Sequence, residues 1–337
     1  MPVDSRSLPS FRSPDECRER HIGESVRGMT NHRDPRWFFV IGAMKAGTSS
    51  LYQYLACHPL IYASPIKEPG YFALASPTCA DTHRYFSLFA NRTVEEWAFE
   101  ASTCYSKAPR IAGVAERIQH RFPDARFIYV LRNPIDRVYS HFLDNWIERG
   151  DREPFESAVL RADSHYVSVS RYYFQLCQYL DRFPHRNLHV VIFERMIRDP
   201  ASTIKGICQF LELEFAADSV PANTAHNVTA KKRPYSPWAR WISSQPWYAR
   251  VPRPIRHLGG TLLGSYIRPK CLELSDVRSP QRDRALAELL HDDVEQLEAF
   301  LQMDLWDWDI RGTSTDDDQS TLEAHACLTA DCAHSTH

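Results

Sequence analysis

Three short apolar runs, WFFVI (37–41), RFIYVL (126–131) and LHVVIF (188–193), stand apart from the chain around them, whose hydrophobic residues recur mostly at helical spacing. Short runs of β-branched and aromatic residues bounded by polar turns predict strands, and their near-continuous apolar character predicts burial on both sheet faces. The weaker runs IYA (61–63) and EWAFEA (96–101) are further strand candidates. Helical periodicity predicts helices over 48–57, 111–121, 134–149, 172–183 and 200–212, and a long amphipathic one over 279–301. This alternation predicts an α/β fold with a central, mainly parallel sheet flanked by helices. In such sheets ligands bind beyond the carboxyl ends of the strands.

Outside this pattern, residues 1–35 and 312–337 are polar, with many Pro, Ser and Arg in the first and a Ser/Thr/Asp-rich run in the second. Both are expected to be disordered tails around one folded domain at 36–311. His325, Cys327, Cys332, His334 and His337 could ligate a metal, but their spacing matches no common zinc motif, and a tail without metal is the expectation. The polar N-terminus lacks an apolar secretory segment, and no run approaches a membrane span, so a soluble, cytoplasmic protein is expected. A net charge of −2 gives no global field for nucleic acid or an anionic membrane, so any anion site must be local. The nine cysteines form no C-x-x-C pair, and most are expected to be small buried hydrophobes rather than disulfide partners.

Candidate chemistry gathers at two strand ends. After strand 37–41 come Gly42, Ala43, Met44, Lys45, Ala46, Gly47 and Thr48, then Ser49 and Ser50 and a helix marked by Leu51, Tyr54 and Leu55. Strand, turn and helix make an anion cradle: first-turn N–H groups and the helix dipole point at the loop, and Lys45 with the three hydroxyls adds donors. In the usual phosphate loop the lysine follows the second glycine; here it precedes it. The second site follows strand 126–131. Pro134 suits a helix's first turn and Asn133 its cap, while Arg132 stands at the strand end with a fork suited to phosphate. Ser140 lies about two turns further on.

The order G-x-x-K-x-G-T-[ST]-[ST]-L resembles the 5′-phosphosulfate loop of sulfotransferases that use 3′-phosphoadenosine 5′-phosphosulfate (PAPS), and RNPIDRVYSHF (132–142) resembles their 3′-phosphate motif R-x-P-x-x-R-x-x-S-x-[YF]. HPLIYASPIKEPGYF (58–72), FEASTCY (99–105), LHVVIFERMIRDPASTIKGICQFLEL (188–213) and LHDDVEQLEAFLQMDLWDW (290–308) are similar to stretches of bacterial sulfotransferases related to the heparan sulfate enzymes. The resemblance, over roughly 37–308, implies a P-loop-like nucleotide-binding sulfotransferase fold and one catalytic domain. It implies PAPS as donor, no metal, and a carbohydrate or small-metabolite acceptor sulfated on a hydroxyl or, less readily, an amine. By it, Gly42, Lys45, Ala46, Gly47, Thr48, Ser49 and Ser50 would hold the 5′ end, and Arg132 and Ser140 the 3′-phosphate. Ala101 and Thr103 stand where the glycosaminoglycan enzymes' E-K-[TS]-P-x-Y often has lysine and proline, so a helper cation is missing.

A general base is needed for the acceptor's proton. Glu68, bracketed by Pro65 and Pro69 in a loop leaving the second strand, is the candidate, a role the resemblance also implies; a surface glutamate paired with Lys67 is the alternative. His141, next to Ser140, is the rival base on the substrate side. Lys231, Lys232 and Arg233 read either as a solvated charge run or as a lid over the nucleotide. Trp238 and Trp241, at i and i+3, read as core packing or as the lining of an acceptor pocket. An ATP-dependent small-molecule or nucleotide kinase, and a non-catalytic nucleotide-binding protein, remain the competing classes.

Overall fold

The computed structural model describes residues 35–161, 163–216, 272–305 and 308. The cluster Lys231, Lys232 and Arg233, the pair Trp238 and Trp241, and the His/Cys group of the C-terminal tail lie outside the described residues. All five apolar runs are strands: β1 (Arg36–Gly42), β2 (Ile61–Ala63), β3 (Trp97–Ala101), β4 (Arg126–Leu131) and β5 (Leu188–Ile192). They form one sheet in the order β2-β3-β1-β4-β5, with every neighbouring pair parallel.

The first helices are α1 (Thr48–Ala56), α2 (Cys79–Ser87), α3 (Val114–Arg121) and α4 (Pro134–Asp144). After them come α5 (Phe155–Val159), α6 (His165–Ser170), α7 (Tyr172–Leu180), α8 (Phe193–Arg198), α9 (Pro200–Phe210), α10 (Leu274–Val277) and α11 (Pro280–Leu301). Several boundaries differ from the periodicity, α7 ending at Leu180 rather than 183 among them. Gly113, at φ 72, starts α3 three residues later than expected. The segment expected as helix to 149 is α-helical only to Asp144, continuing as a π-turn over Asn145–Arg149. Phe193, expected to end a strand, instead opens α8. Among the five described cysteines, all free, the expected burial holds only for Cys208: Cys79 is exposed, and Cys57, Cys104 and Cys177 are half-buried.

The three central strands are buried as their composition predicts, with Phe38, Phe99, Phe127 and Tyr129 fully enclosed. Phe38 stacks on Phe99 at 4.7 Å across the β1–β3 pair, and Phe127 meets Tyr179 of α7 at 4.8 Å. β5, at the sheet edge, is only half-buried over its first three residues. Among the described residues no helix is long and apolar enough to cross a membrane. β1 lies between β3 and β4, so the loop leaving its end opens between the ends of both neighbours. The β1–β4 register shifts between Val40 and Gly42, a bulge that redirects the strand as it enters that loop.

Candidate active site

Packing and backbone conformation shape the loop after β1. Gly42 has φ 147, and a Cβ there would lie 2.2 Å from Ser106 Oγ, so the strand end accepts only glycine at this approach. Ser106 Oγ donates to the Ile41 carbonyl at 2.8 Å, tying the end of β1 to the turn after β3. Gly47, at φ 81, is the N-cap of α1; a Cβ there would meet the Phe193 ring at 2.6 Å. No side chain caps this helix, and the N–H groups of Ser50 and Leu51 donate to the Gly47 carbonyl at 3.0 and 3.2 Å, leaving the start of α1 without a side-chain acceptor where an anion cradle would need none. Thr48 and Ser50 are buried and Ser49 is half-buried. Ala43 and Ala46, likewise buried, hold the loop's underside.

Arg132 leaves the end of β4 and reaches this loop, donating from Nη1 to the Lys45 carbonyl at 3.2 Å. Its guanidinium lies over the Phe193 ring at 5.2 Å, and its buried Nε has no protein partner among the described residues. The segment it opens is clamped. Asn133 accepts from the N–H groups of Ile135 and Asp136 at 2.9 and 3.2 Å, capping α4, and its own N–H donates to Glu194 at 2.9 Å. Lys45 Nζ pairs with Asp144, on the helix that carries Ser140, at 2.8 Å, both side chains being less than 15% exposed. Loop, Arg132 and α4 therefore form one contact group, with Ser140 buried in it.

Glu68 hangs from the adjoining strand end. Its N–H donates to the Ala101 carbonyl at 3.0 Å, and its Oε2 accepts from Thr103 N–H at 2.7 Å and Thr103 Oγ1 at 3.2 Å. Its Oε1 pairs with Lys67 at 2.7 Å, the bond expected of a surface glutamate, so one oxygen is held by the fold and the other by a flexible neighbour. Lys45 at φ 71 and Glu68 at φ 62 are two of four non-glycine residues with positive φ among those described. Such conformations cost roughly 1–3 kcal/mol each and concentrate at functional sites.

His141 lies elsewhere in the packing. It is 2% exposed, beside Tyr166 and His165, with Nδ1 3.3 Å from Arg137 Nη1. A guanidinium can only donate, so Nδ1 is the acceptor and the ring's neutral lone pair already faces a cation. Arg137, itself fully buried, completes its bonds with Ser170 Oγ and the Tyr166 carbonyl, both at 2.6 Å.

Three site contributors escape the sequence patterns. Asp144 pairs with a residue 99 positions away, Thr103 grips Glu68 from 35 positions away, and Phe193 underlies both Gly47 and Arg132. One signal existed for Asp144: it lies four residues after Ser140, on the same helix face.

Fold and site together bring two candidate anion-binding segments into contact at the carboxyl edge of a parallel sheet flanked by helices. The model of the sulfotransferase family matches residues 70–217, a stretch that includes Arg132 and Ser140 but not Lys45 or Glu68. Mouse (Mus musculus) heparan sulfate glucosamine 3-O-sulfotransferase 3A1 is 27% identical over 186 residues, 52% of this chain and 45% of its own. The membrane-associated sulfotransferase kil1 of Dictyostelium discoideum is 31% identical over 122 residues, 35% of this chain and 25% of its own. This chain thus spans less than half the length of these curated relatives. The solved sulfotransferase of Alicyclobacillus acidocaldarius shares the fold, with a TM-score of 0.58 at 24% identity, over 82% of this chain and 99% of that one. These matches make the chain similar to sulfotransferases over its central part and give it their fold.

Proposed function

We propose that this protein transfers a sulfuryl group from PAPS to a hydroxyl, or less readily an amine, of a carbohydrate or small-metabolite acceptor. The observation that carries the proposal is the junction of its two anion-binding segments, Arg132 of the second donating to the Lys45 carbonyl of the first. A ligand with phosphate groups at both ends of one nucleoside suits such a pair of cradles. Lys45 would stabilise charge on the departing phosphate oxygen as the sulfur–oxygen bond to it breaks. Glu68 would take the acceptor's proton as the new oxygen–sulfur bond forms. The alternative base, His141, is less suited, because its lone pair faces Arg137.

Calorimetry tests the donor. Adenosine 3′,5′-bisphosphate should bind at least tenfold more tightly than Mg-ATP, and Arg132→Ala should weaken it by about 2 kcal/mol, the scale of a charge-assisted bond. Adenosine 5′-phosphate, lacking the 3′ group, should bind the variant and wild type alike. Tighter binding of Mg-ATP would favour a kinase instead. Turnover of labelled PAPS tests the base: Glu68→Gln should lower the rate roughly 10²-fold or more while bisphosphate affinity stays within about threefold. If Glu68→Gln turns over normally and His141→Ala does not, the base is His141.

A further inference from the structure

Behind the loop that carries Glu68 lies a second glutamate. Glu100, in β3, is wholly buried, and among the described residues no cation pairs with it. It is held by three hydroxyls: Tyr85 and Tyr105 donate to Oε1 at 2.9 and 2.6 Å, and Ser102 donates to Oε2 at 2.5 Å. Two of these hydroxyls are themselves acceptors. Ser102 Oγ receives the Gly70 N–H at 3.0 Å, and Tyr105 OH receives the Phe72 N–H at 3.1 Å. Each passes a hydrogen bond from a backbone amide of the 68–72 segment to one carboxylate oxygen.

That segment needs holding. Glu68 and Gly70 have φ 62 and 64, and the first of these is a left-handed conformation that a non-glycine side chain disfavours. Its other anchors, the Ala101 carbonyl and Thr103, follow Glu100 where the strand ends. A carboxylate only accepts, so both hydroxyls must turn their protons inward and their lone pairs toward the loop. A glutamine in its place would present an N–H to at least one hydroxyl or to the space they share, reversing that polarity. Burial, with a contribution from the charge of Glu68, pushes the Glu100 carboxyl up to about 7 while the three hydroxyls oppose the rise, so the acceptor-only, ionised form that sets this polarity is the one populated above that pH, and the variants are compared at about pH 8.

We infer that Glu100 is a positioning residue: its acceptor-only carboxylate, acting through Ser102 and Tyr105, fixes the backbone of the loop that presents Glu68. The inference rests on the reading of Glu68 as the base only for its effect on rate; the effect on the loop is independent of it. Two variants separate these effects. Glu100→Gln keeps the shape and removes the charge, and Ser102→Ala removes one relay and leaves the carboxylate. Cys208→Ala, a buried truncation in α9 near the far edge of the sheet, serves as the control for lost stability.

Amide hydrogen exchange is the first readout. Peptides covering 66–73 should exchange on the order of tenfold faster in Glu100→Gln and Ser102→Ala, beyond any change in β1 or α4, and unchanged relative to those elements in Cys208→Ala. The second is the division between binding and turnover, followed as sulfate released from labelled PAPS with water as the probe acceptor. Affinity for adenosine 3′,5′-bisphosphate should stay within about threefold while the rate falls on the order of tenfold. Equal loss of protection across the whole sheet, or an unchanged 66–73 segment in both variants, overturns the inference. Unchanged turnover with a loosened loop overturns its catalytic part. A wild-type protein that binds no bisphosphate overturns the sulfotransferase reading alone, and the exchange comparison still decides the role of Glu100.

Discussion

At the scale of single residues, the two candidate catalytic side chains sit on backbone that most side chains avoid, and both are already engaged. Lys45 at φ 71 directs its ammonium to Asp144, in a pair shielded from water on both sides. A phosphate arriving at the cradle has to compete with that carboxylate or share the lysine with it. Partly buried charges interact far more strongly than exposed ones, so the competition is not negligible. Asp144→Asn removes the competing charge while leaving a side chain of the same shape. The variant should bind adenosine 3′,5′-bisphosphate about tenfold more tightly, equivalent to about 1.4 kcal/mol, as read by calorimetry. A weaker complex would mean that Asp144 orients Lys45 for the ligand rather than competing for it.

At the scale of elements, the site depends on how α4 is entered. Asn133 caps it, Pro134 supplies the first-turn φ, and the Asn133 amide also donates to the Trp308 carbonyl at 2.8 Å. Asn133→Ala should cost about 1 kcal/mol or more of stability, as for a lost N-cap, and should weaken bisphosphate binding because Arg132 is the preceding residue. Thermal unfolding and calorimetry of one variant check both. A stability loss with affinity intact would show that Arg132 is held by Phe193 and the Lys45 carbonyl alone. This cap was legible in the sequence, because cap residues and apolar runs are local signals: WFFVI, RFIYVL and LHVVI became strands, and Arg-Asn-Pro became a helix start. Helix α2 was not legible, since CADTHRYFS is mostly polar and buries only Tyr85, and its start is set by the reciprocal Thr78–Asp81 cap. The grip of Thr103 on Glu68 and the pairing of Lys45 with Asp144 were equally hidden. Both are contacts between distant segments, which no local pattern encodes.

At the scale of the whole molecule, the C-terminal helix closes the layer that supports this site. α11 buries Leu286, Leu290, Val294 and Leu297, and its Asp283 accepts from Tyr139 of α4 at 2.8 Å. Its Asp293, 8% exposed, accepts from the N–H groups of Tyr173 and Phe174 at 3.0 and 2.9 Å, capping α7, whose own N-cap residue gives no side-chain bond. Two forces act on that carboxylate. Burial disfavours its charge and the helix amides favour it, and burial wins, raising the carboxyl from 3.8 to about 6. The folded state therefore binds the proton more tightly than the unfolded chain does. The resulting stabilisation is fully present below about pH 4 and is lost as pH rises through 6. Asp293→Asn cannot titrate, so the stability gap between wild type and variant isolates this group from the others that change over the same range. Urea unfolding at pH 5 and pH 8 should show a gap larger at pH 5 by about 1 kcal/mol, the size that a shift of this direction and extent produces in that interval. A gap that instead widens at pH 8 would mean that the amides of α7 outweigh burial, and that the charged cap is the form the fold prefers.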